Sequence, residues 1–151
     1  MYCDGNENTK RSVIARVDMT PSEHYEQVML FRWAEIECRC RKFPKVMIGG
    51  KEISVLEFLH AVPNGGLRSK KTAADLKLEG VKSGVPDISF PYPTGRHYGL
   101  YIEMKRKKGG KLSESQKKWL EYLNEAGYLA VVCKGEEQAK DTIIKYIAEE
   151  I

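Results

Sequence analysis

The spacing of apolar residues changes from block to block along this chain, and each change marks an element. Thr20-Pro21-Ser22-Glu23 opens a helix, with Pro early and an acid in the first turn. That helix is predicted to run to about Arg41 and to stop before Pro44. Val28, Phe31, Ala34 and Cys38 recur at intervals of three and four and form its apolar stripe, while Leu30 and Trp33 fall off it. From Glu52 to His60 the apolar residues fit neither a helical nor a strand period cleanly. This region is read as a helix running into a strand at 58–62, closed by the turn Pro63-Asn64-Gly65-Gly66. Lys70 to Glu79 has a helical pattern, with Ala73, Leu76 and Gly80 on one side.

The second half of the chain is clearer. Tyr98 to Met104 is aromatic and β-branched, opens after the turn-like Pro93-Thr94-Gly95, and reads as a strand. The short run Ile88-Ser89-Phe90 can pair with it across the Pro91–Gly99 connection. Ser113 caps a helix whose Gln116, Leu120 and Leu123 share a face and which ends at Gly127. Leu129 to Cys133 is continuously apolar, the pattern of a buried parallel strand. Glu136 to Glu150 is a final amphipathic helix. These elements predict an α/β fold, a mixed β-sheet flanked by α-helices. Residues 1–20 lack sustained periodicity and read as an N-terminal arm, and 21–151 as a single domain.

An apolar content of 42% with 30% charged residues fits a globular domain. No apolar run approaches the roughly 20 residues of a membrane span, and the polar start MYCDGNENTKRS has no apolar signal core. An intracellular location follows as the expectation, in the cytoplasm of a bacterium or a phage-infected host cell. Cys3, Cys38, Cys40 and Cys133 lack zinc spacing and read as ordinary thiols. The net charge of +4 is modest, so its distribution carries more information. Arg39, Arg41, Lys42 and Lys45 form one basic cluster, and Arg68, Lys70 and Lys71 a second. Lys105 to Lys108 with Lys111 form a third, continued by Lys117 and Lys118. The last two clusters flank the chemistry described next, which favours contact with a phosphate backbone.

That chemistry lies in Gly84-Val85-Pro86-Asp87 and Glu103-Met104-Lys105. On a strand Glu103 and Lys105 project from the same face, and pairing with the run headed by Asp87 brings two carboxylates and an ammonium together. Two carboxylates this close repel unless a cation lies between them, and hard oxygen ligands suit Mg²⁺ or Mn²⁺. Asp87 and Glu103 are therefore the candidate metal ligands. Lys105 would steady the attacking water or the developing negative charge. Gln116, a polar amide on an otherwise apolar helix face, should point at the sheet and find partners there. The layout is that of a metal-dependent phosphodiester hydrolase.

The run Pro63-Asn64-Gly65-Gly66, Gly-x-Pro-Asp, Glu-x-Lys and the downstream Gln116 with Trp119 together resemble the VRR-NUC family, the virus-type replication-repair nuclease domains of the PD-(D/E)xK nuclease superfamily. The resemblance extends over about residues 22–147. It implies a PD-(D/E)xK core and a Mg²⁺- or Mn²⁺-dependent endodeoxyribonuclease with Asp87, Glu103 and Lys105 catalytic and Gln116 beside the metal. It implies a third acid on the first helix, four residues before a Gln. Glu23 with Gln27 matches that spacing, and Glu26 is the competing choice. Asn64, Gly65, Gly66, Arg68, Lys70 and Lys71 would then contact DNA through backbone amides and cationic side chains. Standalone members of the family resemble Holliday-junction resolvases and act as homodimers, so the partners implied are branched DNA and a second copy. Leu30 and Trp33 would supply apolar surface for that dimer. The alternatives are a flap-directed or restriction-type endonuclease and a non-catalytic DNA-binding scaffold.

Overall fold

The computed structural model of the chain describes residues 20–40, 42–63 and 75–151. Helix α1 spans Glu23–Cys38, and the Ser22 hydroxyl caps it by accepting the Tyr25 N–H at 3.1 Å. Its core face is Glu26, Leu30 and Ala34, all buried, and not the predicted stripe as a whole. Of that stripe only Ala34 is buried; Val28, Phe31 and Cys38 are partly exposed. Leu30 is fully buried, and Trp33 packs against the core with its ring edge-to-face on Phe43 at 6.0 Å. Leu30 is therefore closed to a second copy, and Trp33 keeps only part of its surface exposed. The helix carries apolar residues on both sides, and the core takes the side that also holds a buried acid.

The stretch between α1 and the sheet also departs from expectation. Strands β1, Lys45–Ile48, and β2, Lys51–Ser54, form an antiparallel hairpin turned by Gly49 and Gly50. Both glycines have positive φ, +57° and +78°, the requirement of a tight two-residue turn that twists with its strands. The predicted helix over the following residues shrinks to one 3₁₀ turn, Val55–Phe58, started by the Ser54 hydroxyl accepting the Leu56 N–H at 3.4 Å. Its Val55 and Leu56 are buried, so the mixed apolar spacing is that of a packed turn. Strand β3 is His60–Ala61. Residues 75–78 are helical, inside the predicted 70–79.

Strands β4, Ile88–Phe90, β5, Leu100–Lys105, and β6, Leu129–Lys134, complete a four-stranded sheet in the order β3-β4-β5-β6. The first pairings are antiparallel and β5–β6 is parallel, so the sheet is mixed as expected. Helix α2, Glu114–Glu125, makes the crossover between the parallel strands, and α3, Glu136–Ile147, follows β6. Alternation along β5 divides its side chains. Leu100, Ile102 and Met104 join the core with residues of α1 and α3, Leu30, Ile143 and Tyr146 among them. Glu103 on the opposite face meets α2 through Gln116. The fold thus puts the end of β5 between helices on both faces of the sheet.

Candidate active site

Antiparallel pairing sets the centre of the site. Ile88 lies opposite Ile102, which brings Asp87, just before β4, beside Glu103. The Asp87 carbonyl accepts the Val62 N–H at 2.8 Å, and its Oδ2 accepts the Met104 N–H at 2.9 Å. The side chain is therefore fixed by the backbone of the neighbouring strand. Glu103 is 1% exposed. Its Oε1 accepts from Lys105 Nζ at 2.6 Å and from the Gln116 amide, while Oε2 is buried with no hydrogen-bond partner. Lys105, two residues on and also buried, donates as well to the Met104 carbonyl at 3.1 Å.

Gln116 reaches Glu103 because of a capping box. The Ser113 hydroxyl accepts the Gln116 N–H at 3.3 Å, and Gln116 Oε1 accepts the Ser113 N–H at 2.9 Å, which leaves the amide nitrogen aimed at the carboxylate. The same helix holds the loop that leads to Asp87. Trp119 Nε1 donates to the Ser83 carbonyl at 3.2 Å. Gly84, at φ +87°, lies so close to α2 that a Cβ there would meet the Ser115 carbonyl carbon at 2.6 Å. Only glycine meets both demands, which accounts for the Gly of Gly-x-Pro-Asp.

The two acids of α1 have separate positions. Glu23 is exposed and reaches the site's edge, with Oε2 4.0 Å from Lys105 Nζ and Oε1 accepting the Arg106 N–H at 3.4 Å. Glu26 is 2% exposed and points elsewhere: its Oε2 accepts the Glu136 N–H at 2.7 Å. That helix begins at Gly135, which offers no side-chain cap, so Glu26 caps α3 from another helix. Sequence reading found no role of this kind, and no local signal could have shown it, since donor and acceptor are 110 residues apart.

Burial dominates the electrostatics. It pushes the Glu103 carboxyl up to about 7, with the charge of Asp87 raising it further and the Lys105 ammonium opposing. It also lifts Asp87 above its ordinary range, against the pull of the Met104 N–H and Lys105. Two such carboxyls held together relieve their repulsion by sharing a proton or by taking a cation between them. Each carboxylate has one oxygen tied to protein donors, and Glu103 Oε2, which has no protein donor among the described residues, faces the neighbouring Asp87 carboxyl as a hard oxygen. This donor set fits Mg²⁺ or Mn²⁺ completed by water, the habit of these ions. Among the described residues no three His, Cys, Asp or Glu side chains gather as a closed metal site.

A groove of 710 Å³ leads away from Asp87 between α1 and residues 61–63. Beyond Lys105, the side chains of Arg106, Lys107, Lys108 and Lys111 are exposed. Of the first basic cluster, Arg39 pairs with Glu35 at 3.2 Å and Lys45 with Glu52 at 3.1 Å, so much of its charge is met within the chain. Asn64, Gly65, Gly66, Arg68, Lys70 and Lys71 lie outside the described residues. Among the described residues no helix is long and apolar enough to cross a membrane.

Comparison with known proteins adds two findings. The family model of the VRR-NUC domain matches residues 21–137. A solved structure titled as a VRR-NUC domain protein is similar at 29% identity and a TM-score of 0.66, over 85% of this chain and 90% of that one. No curated protein matches the chain.

Proposed function

The chain belongs to the VRR-NUC domain family, which implies a nuclease-type function, and from that premise we propose that it is a Mg²⁺- or Mn²⁺-dependent endodeoxyribonuclease. The observation that carries this reading is the half-buried Asp87 held beside the buried Glu103, with Glu103 Oε2 given no protein donor among the described residues and Lys105 alongside. Asp87 and Glu103 hold the ion. When bound, it supplies a Lewis acid that lowers the pKa of water and draws charge from a phosphoryl oxygen.

The chain's own residues do the rest. The Met104 N–H and the Gln116 amide keep the two carboxylates in place, so little reorganisation is needed on binding. Lys105 Nζ sits at the end of β5 within reach of both Glu103 and the site's edge, and holds the attacking water or offsets negative charge growing on the phosphoryl oxygens. Glu23 faces Lys105 across that edge and orients the ammonium or a water there. Gln116, through Ser113, fixes the rotamer of Glu103. Arg106, Lys107 and Lys108 continue from Lys105 into solvent and grip the backbone on either side of the cut. Arg68, Lys70 and Lys71, with the Asn64-Gly65-Gly66 turn, extend that grip.

The substrate we infer is branched DNA, cut in the manner of a Holliday-junction resolvase by a homodimer, because symmetric cleavage of a four-way junction needs two equivalent sites. With Leu30 taken up by the core and Trp33 half-covered against it, the contact between copies draws on other surface. Cleavage of four-way, flapped, nicked and linear DNA, run beside light scattering at micromolar protein, tests this reading. A dimer mass with a four-way preference supports it. A monomer that cuts linear duplex equally well would reduce the reading to a general endonuclease.

A further inference from the structure

We propose that the groove beside Asp87 is a subsite for one unpaired nucleotide next to the scissile phosphate, which makes the substrate class DNA whose pairing is open at the cut. The proposal rests on the nuclease reading above and adds to it what part of the substrate lies where.

Continuity with the carboxylate pair is the first support. Asp87 and Met104 are part of the groove's lining, so a phosphodiester held at Asp87 places a neighbouring sugar and base against the groove. The lining then selects among the parts of a nucleotide. Glu23 and Glu35, the latter already paired with Arg39 at 3.2 Å, stand against Arg32 and His24, so a row of phosphates laid along these walls meets little net attraction and at Glu23 would be repelled. An uncharged base is not. Val28, Phe31, Val62 and Pro63 give it apolar surface, and the Gln27 amide offers both a donor and an acceptor to a base edge. The volume of 710 Å³ is in the range of pockets that enclose small organic ligands.

A second observation comes from α1. Its core face is Glu26, Leu30 and Ala34, yet Val28 and Phe31, the latter packed against the edge of the core, also line this groove and are only partly covered. A paired base is stacked inside the duplex and cannot enter without being drawn out, which costs free energy; a base at a branch, flap or gap enters at less cost. Selectivity for open DNA then arises from a pocket beside the metal pair, whatever the wider surface contributes.

The experiment uses duplexes with 2-aminopurine on the nucleotide adjacent to the mapped cut, in one substrate unpaired and in the other fully paired. Single-turnover cleavage by the wild-type chain with Mn²⁺ should be at least tenfold faster on the unpaired substrate. Binding of the same DNA to Asp87→Asn should change the 2-aminopurine emission only when that base is unpaired. Val28→Trp, which fills the groove, should bring the rate ratio towards one and abolish the emission change in the Asp87→Asn background; if it fails to fold, Gln27→Ala is measured in its place. Equal cleavage of both substrates with unchanged emission would overturn the proposal, as would a filled groove that keeps both effects. That is the pattern given by a groove occupied by another part of the chain or by a second copy. An emission change without any cleavage would support the subsite and count against the nuclease reading alone.

Discussion

Glu103→Gln should stabilise the metal-free protein at alkaline pH while destroying its activity. Burial holds the Glu103 carboxyl at about 7, well above its ordinary 4.5, even with Lys105 at 2.6 Å. Neutral Glu103 thus contributes stability that is fully present below 4.5 and is lost as pH rises through about 7. That displacement corresponds to about 3 kcal/mol at pH 8, from about 1.4 kcal/mol per pH unit. Glutamine keeps Oε1 as the acceptor for Lys105 and Gln116 and removes the charge that burial and Asp87 oppose. Urea unfolding in a chelator should therefore show the variant more stable by about 2–3 kcal/mol at pH 8 and nearly equal to wild type at pH 5. Saturating Mn²⁺ should reverse the order at pH 8, because only the wild type gains from the ion. A variant less stable than wild type at pH 8 without metal would refute the idea that the ionised pair is held at a cost for the sake of a cation.

Mn²⁺ affinity of the wild-type chain should fall about tenfold per pH unit below pH 7, since the raised Glu103 must lose its proton; calorimetry in buffers of different ionisation heat reads the proton released. Lys105→Ala should abolish hydrolysis yet still bind Mn²⁺ at pH 8.5, and loss of binding there would assign the ammonium a structural role. Joint neutralisation of Arg68, Lys70 and Lys71 should weaken binding to every DNA about equally and flatten its salt dependence, as filter binding across ionic strength would show. Glu26→Ala should cost about 1–3 kcal/mol by leaving the Glu136 N–H without its acceptor, whereas Glu26→Gln should cost less; equal denaturation midpoints for all three proteins would remove the capping role.

How much of this was legible in the sequence depended on the range of the signals. The β4–β5 hairpin, the Ser113–Gln116 cap and the apolar strand β6 are written within a few residues each, and each appears where its residues say. The meeting of Asp87, Glu103 and Lys105 needed only the strand period and one turn. The facing of α1 was not legible, because apolar residues lie on both sides and the deciding one is an acid. Glu26 belongs to the core face only because α3 starts beside it, a fact of the tertiary fold. The β1–β2 hairpin did carry a local mark, Gly49-Gly50, but its strands are short and mostly exposed and so show no alternation of burial to read. The Gly84 contact with Ser115 and the Trp119 bond to Ser83 likewise join separate segments, so the motif residues were visible while their purpose was not.

The central claim is that this carboxylate pair cuts DNA with a bound metal, and one measurement meets it head on. Purified wild-type chain and Asp87→Asn are incubated with end-labelled branched DNA in Mg²⁺, in Mn²⁺ and in excess chelator, and internal cleavage products are counted. The account predicts cleavage by the wild type with either ion, none in chelator, and a loss of at least a hundredfold in the variant while its circular dichroism and melting midpoint stay at or above those of wild type. Cleavage undiminished in Asp87→Asn, or persisting in chelator, would contradict it.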